Sequence, residues 1–274
     1  MKSLREKIII GLSIILLVNS SIPFTSVMAL EKPSTIKEKS KIGIDLPARV
    51  SNVKINPSKK ISFNKVKTGD SEILNISFAP SLLGTTFQVP LELNRGEKAM
   101  LYKTEFGKTS NAGNMYDMQN NSIGIINIEI VNNAENVQMT STVLDNNILQ
   151  FDVKSNNISN KIDIQVKMNT TSFSTYFTDS EWIKRSGMTS LSLSQKQDLA
   201  SSTDTSLNKA KKIDAWDKIK SKHNNTVNWY NAGGLQDQFD CHFDFAKKKD
   251  AWNLEPSRPD VDYFSTVMAS CNPK

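Results

Sequence analysis

The chain has 274 residues, with 34 Lys and Arg against 28 Asp and Glu, a formal net charge of +6 and 38% hydrophobic residues. That length holds one large domain or two ordinary ones. The basic surplus is local, because residues 30–67 carry ten basic and three acidic side chains whereas residues 68–180 carry seven and twelve; this excludes a nucleic-acid-binding surface spread over the molecule.

Residues 1–29 read as a cleavable signal peptide. Lys2, Arg5 and Lys7 form a positive start, Ile8 to Val18 an apolar run, and Val27-Met28-Ala29 a cleavage site that leaves Leu30 as the mature start. The apolar run falls short of the about 20 residues that a spanning helix needs. No cysteine lies near the cleavage site, which excludes a lipid-modified N-terminus, and no later stretch is apolar enough to span a membrane. Residues 30–69 are rich in Lys and Ser with Pro33, Pro47 and Pro57, and read as a basic linker, partly ordered near Ile61 to Val66. Such an arm is either simply solvated or a tether to an anionic surface such as cell-wall polymers or a membrane.

From Ile73 the texture changes. Residues 73–78, 86–93, 126–130, 149–153 and 162–166 alternate apolar and polar side chains, the period of half-buried strands. Asn132-Asn133, Asn146-Asn147 and Asn156-Asn157 separate them, and Asn tolerates turn conformations. Residues 70–180 are therefore expected to form a β-rich domain, an antiparallel sheet or small sandwich.

The last third holds all four tryptophans, both cysteines and both histidines. Leu207, Ala210, Ile213, Trp216 and Ile219 mark an amphipathic helix with Ser206 as its N-cap. Leu235, Phe239, His242 and Ala246 give a second helical stripe after the Gly233-Gly234 break, although Phe239, Cys241, Phe243 and Phe245 also alternate as a strand would. Pro256 and Pro259 hold an extended loop, and Asp262 caps a last helix from Tyr263 to Ala269. His223, among lysines at a helix end, reads as a surface residue.

Two cysteines in an exported chain are expected to pair, Cys241 with Cys271. A metal site is the competing use, but no second Cys pair or His pair at ligand spacing accompanies them, so neither metal nor cofactor is expected. His242 is the candidate for catalysis: Asp237 and Asp244 are near in sequence, and a carboxylate-oriented histidine is the usual general base. The alternative is a buried histidine bonded to the loop at Asn253 to Arg258. Arg258, Trp252 and Glu255 are candidate binding residues; Arg258 either pairs with Glu255 or Asp260 or faces an anionic ligand. Gly-x-Ser-x-Gly, His-Glu-x-x-His and a phosphate-cradling glycine loop are all missing from the sequence.

Residues 234–242 (Gly-Leu-Gln-Asp-Gln-Phe-Asp-Cys-His), then Lys249, Trp252-Asn253-Leu254-Glu255-Pro256, Arg258-Pro259, Val261, Tyr263 and Cys271-Asn272-Pro273 together resemble a bacterial exported-protein family catalogued as domain of unknown function 2599. Trp182 to Leu193 resembles the start of its longer form, and Ser257 departs from the aromatic residue common there. The resemblance covers residues 180–274 and implies export and domain limits without an activity.

The expected architecture is α+β: signal peptide 1–29, basic linker 30–69, β-rich domain 70–180, and a small, mostly helical, disulfide-stapled module 181–274. The expected function is a secreted or envelope-associated, non-catalytic interaction module. The alternative is a small extracellular hydrolase with His242 as base and Asp237 or Asp244 orienting it.

Overall fold

Alternating burial sets the strands. In chain order they are β1 (Ser62–Thr68), β2 (Ser71–Phe78), β3 (Thr85–Pro90), β4 (Lys98–Leu101), β5 (Ser110–Tyr116), β6 (Ser122–Ile130), β7 (Val137–Leu144), β8 (Ile148–Ser155) and β9 (Ile162–Thr170), then β10 (Phe177–Arg185), β11 (Met188–Gln195) and β12 (Trp252–Leu254). Among the described residues four α-helices accompany them: α1 (Phe173–Tyr176), α2 (Thr205–His223), α3 (Ala232–Phe245) and α4 (Tyr263–Met268). The computed structural model describes residues 61–102, 110–132 and 134–274. All of these belong to one compact unit spanning Pro47–Lys274. The expected signal peptide, its cleavage site and most of the basic linker lie outside the described residues.

The strands form a six-stranded sheet in the order β1-β2-β9-β6-β5-β4 and two three-stranded sheets, β3-β8-β7 and β10-β11-β12. Every strand pairing among the described residues is antiparallel. One hydrophobic core joins the first two sheets: Ile76, Ile126, Ile128, Ile164 and Val166 from the six-stranded sheet meet Phe87, Phe151, Val153 and Met139 from the other. Phe87 stacks on Phe151 with centroids 5.0 Å apart, and Phe78 meets Phe87 edge-on. Burying each such side chain stabilises by about 1.5–3 kcal/mol. The β-rich expectation for residues 70–180 is met by this antiparallel arrangement.

β5 and β6 are covered on both faces. Ile126 and Ile128 point into the sandwich, while Ala112 and Ile125 join a second core with Ala210, Trp216 and Ile219 of α2, Phe239 of α3 and Trp252 of β12. Double coverage explains the sequence of β5, Ser-Asn-Ala-Gly-Asn-Met-Tyr, which has no alternation to read. Gly113 is required there, since a Cβ would lie 1.8 Å from the Met100 carbonyl oxygen.

Several expectations need correction. Residues 62–68, assigned to the linker, are strand β1 paired along its length with β2. The strand expected over 86–93 ends at Pro90, which has no N–H to continue a ladder. The limit placed after Ser180 falls inside β10. The C-terminal part is not helical alone, because β10, β11 and β12 form a sheet under its helices. The helical reading of residues 239–245 holds, since they lie within α3, but the glycine pair sits inside its first turn rather than before it. The N-cap of α2 is Asp204, accepting from the Ser206 and Leu207 amides, and not Ser206. Asp262 does cap α4. His223 is buried, within 2.9 Å of Ser180 Oγ, not on the surface.

Where α2 meets β5 and β6, the interface is polar at its centre. Asp214 is fully buried, and its carboxylate accepts from Ser122 Oγ, Thr171 Oγ1 and Tyr176 OH, each at 2.5 Å. Lys218 Nζ stands 3.3 Å away and donates to the Ser122 carbonyl at 2.6 Å. Beside it, Asn114 donates to Ser122 Oγ and to the Ala210 carbonyl and accepts from Tyr102. Burial pushes the Tyr176 hydroxyl well above its ordinary range, and the Asp214 charge adds to the effect, so the phenol stays a donor. Asp214→Ala leaves these donors facing a void and is expected to cost about 3–5 kcal/mol. A urea midpoint showing a loss below about 1 kcal/mol, in the range of an ordinary exposed pair, would contradict this network's role.

Candidate functional site

Three pieces of chain meet around His242. The β10–β11 hairpin turns at Ser186-Gly187, with φ of 50° and 79°, and brings Arg185 opposite Met188. α3 carries His242 near its C-terminus, and the loop after it, residues 246–251, leads into β12. The tail is anchored at Cys271, bonded to Cys241 with Cα atoms 5.5 Å apart. The expected pairing is present, and it places Asn272 next to the turn of helix that bears His242. Together Arg185, His242, Lys248, Lys249, Asp250, Ala251, Asn253 and Asn272 line a cavity of about 350 Å³.

His242 is enclosed by its surroundings. Its exposure is 3%, and its ring stacks on Trp252 at 6.2 Å and 15°. Nε2 lies 3.3 Å from the Asn253 carbonyl oxygen; a carbonyl only accepts, so Nε2 carries the proton. Nδ1 has no hydrogen-bond partner among the described residues. Burial is the main cause that lowers the His242 pKa from its ordinary 6.5 to about 4, leaving a neutral ring at pH 7.

The carboxylates named with it are held elsewhere. Asp244 takes Lys212 Nζ at 2.9 Å and the Tyr263 hydroxyl at 2.6 Å. Asp237 is raised above the usual carboxylate range, by burial first and then by the charges of Asp260 and Asp262. Neither is hydrogen-bonded to His242 among the described residues. Asp240, which flanks His242 in the sequence but was not among the candidate catalytic residues, is pushed up to about 6, chiefly by burial. It lines a separate groove between α2 and α3 with Lys209, Lys212, Trp216 and Phe243. Only its place on a partly buried helix face distinguishes it, and spacing alone cannot show that.

The candidate binding residues Trp252, Glu255 and Arg258 are not among those that line the cavity. Trp252 is fully buried, donates from its indole to the Ala246 carbonyl at 3.0 Å, and packs on Phe239 and Phe243. Glu255 is 3% exposed; it accepts from Arg258 Nε at 2.8 Å and from Ser190 Oγ at 3.1 Å. Gln238 completes the clamp by donating to the Glu255 carbonyl and accepting from its amide. Arg258 also reaches the Pro273 carbonyl at 3.0 Å. Arg258 thus ties the tail to the loop with the same guanidinium that pairs with Glu255, which is the structural alternative considered for it. Arg185, Lys248, Lys249 and Asn272, which do line the cavity, come from three separate segments, and nothing in the sequence links them.

Two measurements follow from this geometry. The Cys241–Cys271 link closes a loop of 30 residues, so reducing it is expected to lower stability by about 3–4 kcal/mol on the chain-entropy account; thermal melts with and without a reductant read this. The pH response has a defined sign. The folded-state pKa values of His242 and His223 both drop from 6.5 to about 4 with burial as the main cause, so the unfolded chain binds more protons between those limits. Stability is complete above pH 6.5 and falls as pH drops towards 4. Asp240, raised to about 6, opposes this by binding a proton in the folded state first. His242→Gln should make the fall visibly shallower in urea titrations at pH 7 and pH 4.5; an unchanged slope would mean that His242 is not held neutral by burial.

No curated protein and no solved structure matches the chain. Its C-terminal part, residues 177–274, from the first residue of β10 to the end, matches the family described as protein of unknown function (DUF2599).

Proposed function

We propose that the protein is an exported, non-catalytic binding module acting on anionic material of the cell envelope. The observation that carries this reading is the state of His242: its proton is committed to a main-chain carbonyl, and no carboxylate is hydrogen-bonded to it among the described residues. The carbonyl orients the ring but carries no charge to stabilise the imidazolium that a general base becomes, and burial disfavours that cation. What remains at the site is a rigid cavity with cationic side chains at its mouth, which is a binding geometry. The disulfide supports a location outside a reducing cytoplasm. The basic segment 30–67 would add a non-specific attraction to wall polymers.

The test is co-sedimentation of the secreted chain with purified cell-wall fragments, with the supernatant analysed by mass spectrometry. The chain is expected to start at Leu30, to sediment with the fragments, to be released as salt is raised, and to leave the fragments unchanged. Soluble fragments that form with the intact protein and disappear with His242→Ala would replace this reading by the hydrolase.

A further inference from the structure

We propose that the cavity at His242 binds a phosphate monoester carried on a polyhydroxy backbone, such as a polyol phosphate or a sugar phosphate. This deepens the binding reading above and rests on it.

The charge at the mouth sets the anion. Arg185, Lys248 and Lys249 stand against Asp250 alone, an excess of two positive charges with the ring neutral. None of the three cations forms an ion pair among the described residues. A phosphate monoester carries about −1.5 to −2 at pH 7 and matches that excess better than a single carboxylate. Arginine further offers a planar fork of donors for phosphate oxygens.

The floor sets the rest of the ligand. With its proton on Nε2, the neutral imidazole presents Nδ1 as an acceptor, and that atom is buried and unpartnered. Asn253 Oδ1 is a second buried acceptor without a partner. Asn272 donates one of its two amide N–H groups to the Ser270 carbonyl, and its Oδ1 is a further acceptor. Acceptors are useless to a fully ionised phosphate, which has no proton to give. They call for donors, and hydroxyl groups beside the phosphate supply them. Cations at the mouth and acceptors beneath therefore select a molecule that is an anion at one end and a hydroxyl donor at the other.

The cavity is already shaped for this. The lysine loop is fixed at Lys249, whose carbonyl accepts from Gln195 and whose amide donates to the Ala246 carbonyl at 3.1 Å. The Trp252 indole holds Ala246 as well, and the disulfide fixes the segment that carries Asn272. Little ordering is left to oppose binding.

Calorimetric titration of the full chain with glycerol 3-phosphate, methyl phosphate and glycerol tests the proposal. Glycerol 3-phosphate is expected to bind with a Kd of about 0.1 mM or tighter and about tenfold more tightly than methyl phosphate, while glycerol gives no heat. Arg185→Ala, at an exposed hairpin end, should weaken glycerol 3-phosphate about tenfold with an unchanged melting temperature. His242→Phe should bring glycerol 3-phosphate down to the level of methyl phosphate. Should that variant not fold, the imidazole nitrogen shifts of ¹⁵N-labelled wild type decide: Nδ1 moves with glycerol 3-phosphate and not with methyl phosphate. Equal affinity for the two phosphates, or no heat with either, overturns the proposal. If the chain still sediments with wall fragments in that case, only this site fails; release of soluble fragments sinks the binding reading itself.

Discussion

A carboxylate sealed from water is tolerated only when its oxygens are met by donors, and Asp214 is met by three hydroxyls and a lysine drawn from α1, α2, β6 and the segment after β9. That one group fixes how α2 lies on β5 and β6. α2 in turn carries Trp216, which stacks on Phe239 of α3, and α3 carries His242 and Cys241. The position of the cavity relative to the sandwich thus descends from a single buried charge. Its neighbours extend the same constraint, since Asn114 links Ser122, Ala210 and Tyr102 in the layer above.

The elements most legible in the sequence are those with one buried face. β2, β8 and β9 alternate and were expected; β6, though covered on both faces, still alternates over residues 126–130, and α4 begins directly after the residue predicted to cap it. The elements that escaped have other reasons. β5 is covered on both sides and filled with small and polar residues, so period two disappears. β12 has three residues, too few to carry a pattern. β10 and β11 are mostly polar where they face solvent, and their Trp182 and Leu193 give only isolated signals. Asp214 sits one position from the apolar stripe of α2 and looks like a solvated charge in a helix full of lysines. Only the hydroxyls that surround it in space reveal its burial.

The site shows the same division. The disulfide followed from cysteine number and compartment, and Arg258 with Glu255 from local sequence. The acid–base pairing imagined for His242 rested on nearness along the chain, yet residues two and five positions away on a helix need not share its face. Asp244 turns to Lys212 and Tyr263 on the α2 side, whereas His242 turns to β12. The same helix therefore serves two different surfaces: one acidic and facing α2, the other sealed under lysines.

Phe177, the first residue of the family-matched part, comes directly after Tyr176 and six residues after Thr171, two of the hydroxyls that hold Asp214. The module so delimited does not own the surroundings of its most deeply buried ion. Severed at that point, α2 would present Ala210, Asp214 and Ala215 to solvent as an open seam, and the donors from β6 and from residues 171–176 would be left behind. The natural unit for excision, grafting or fusion is accordingly the sheet and the tail together, with the seam kept inside.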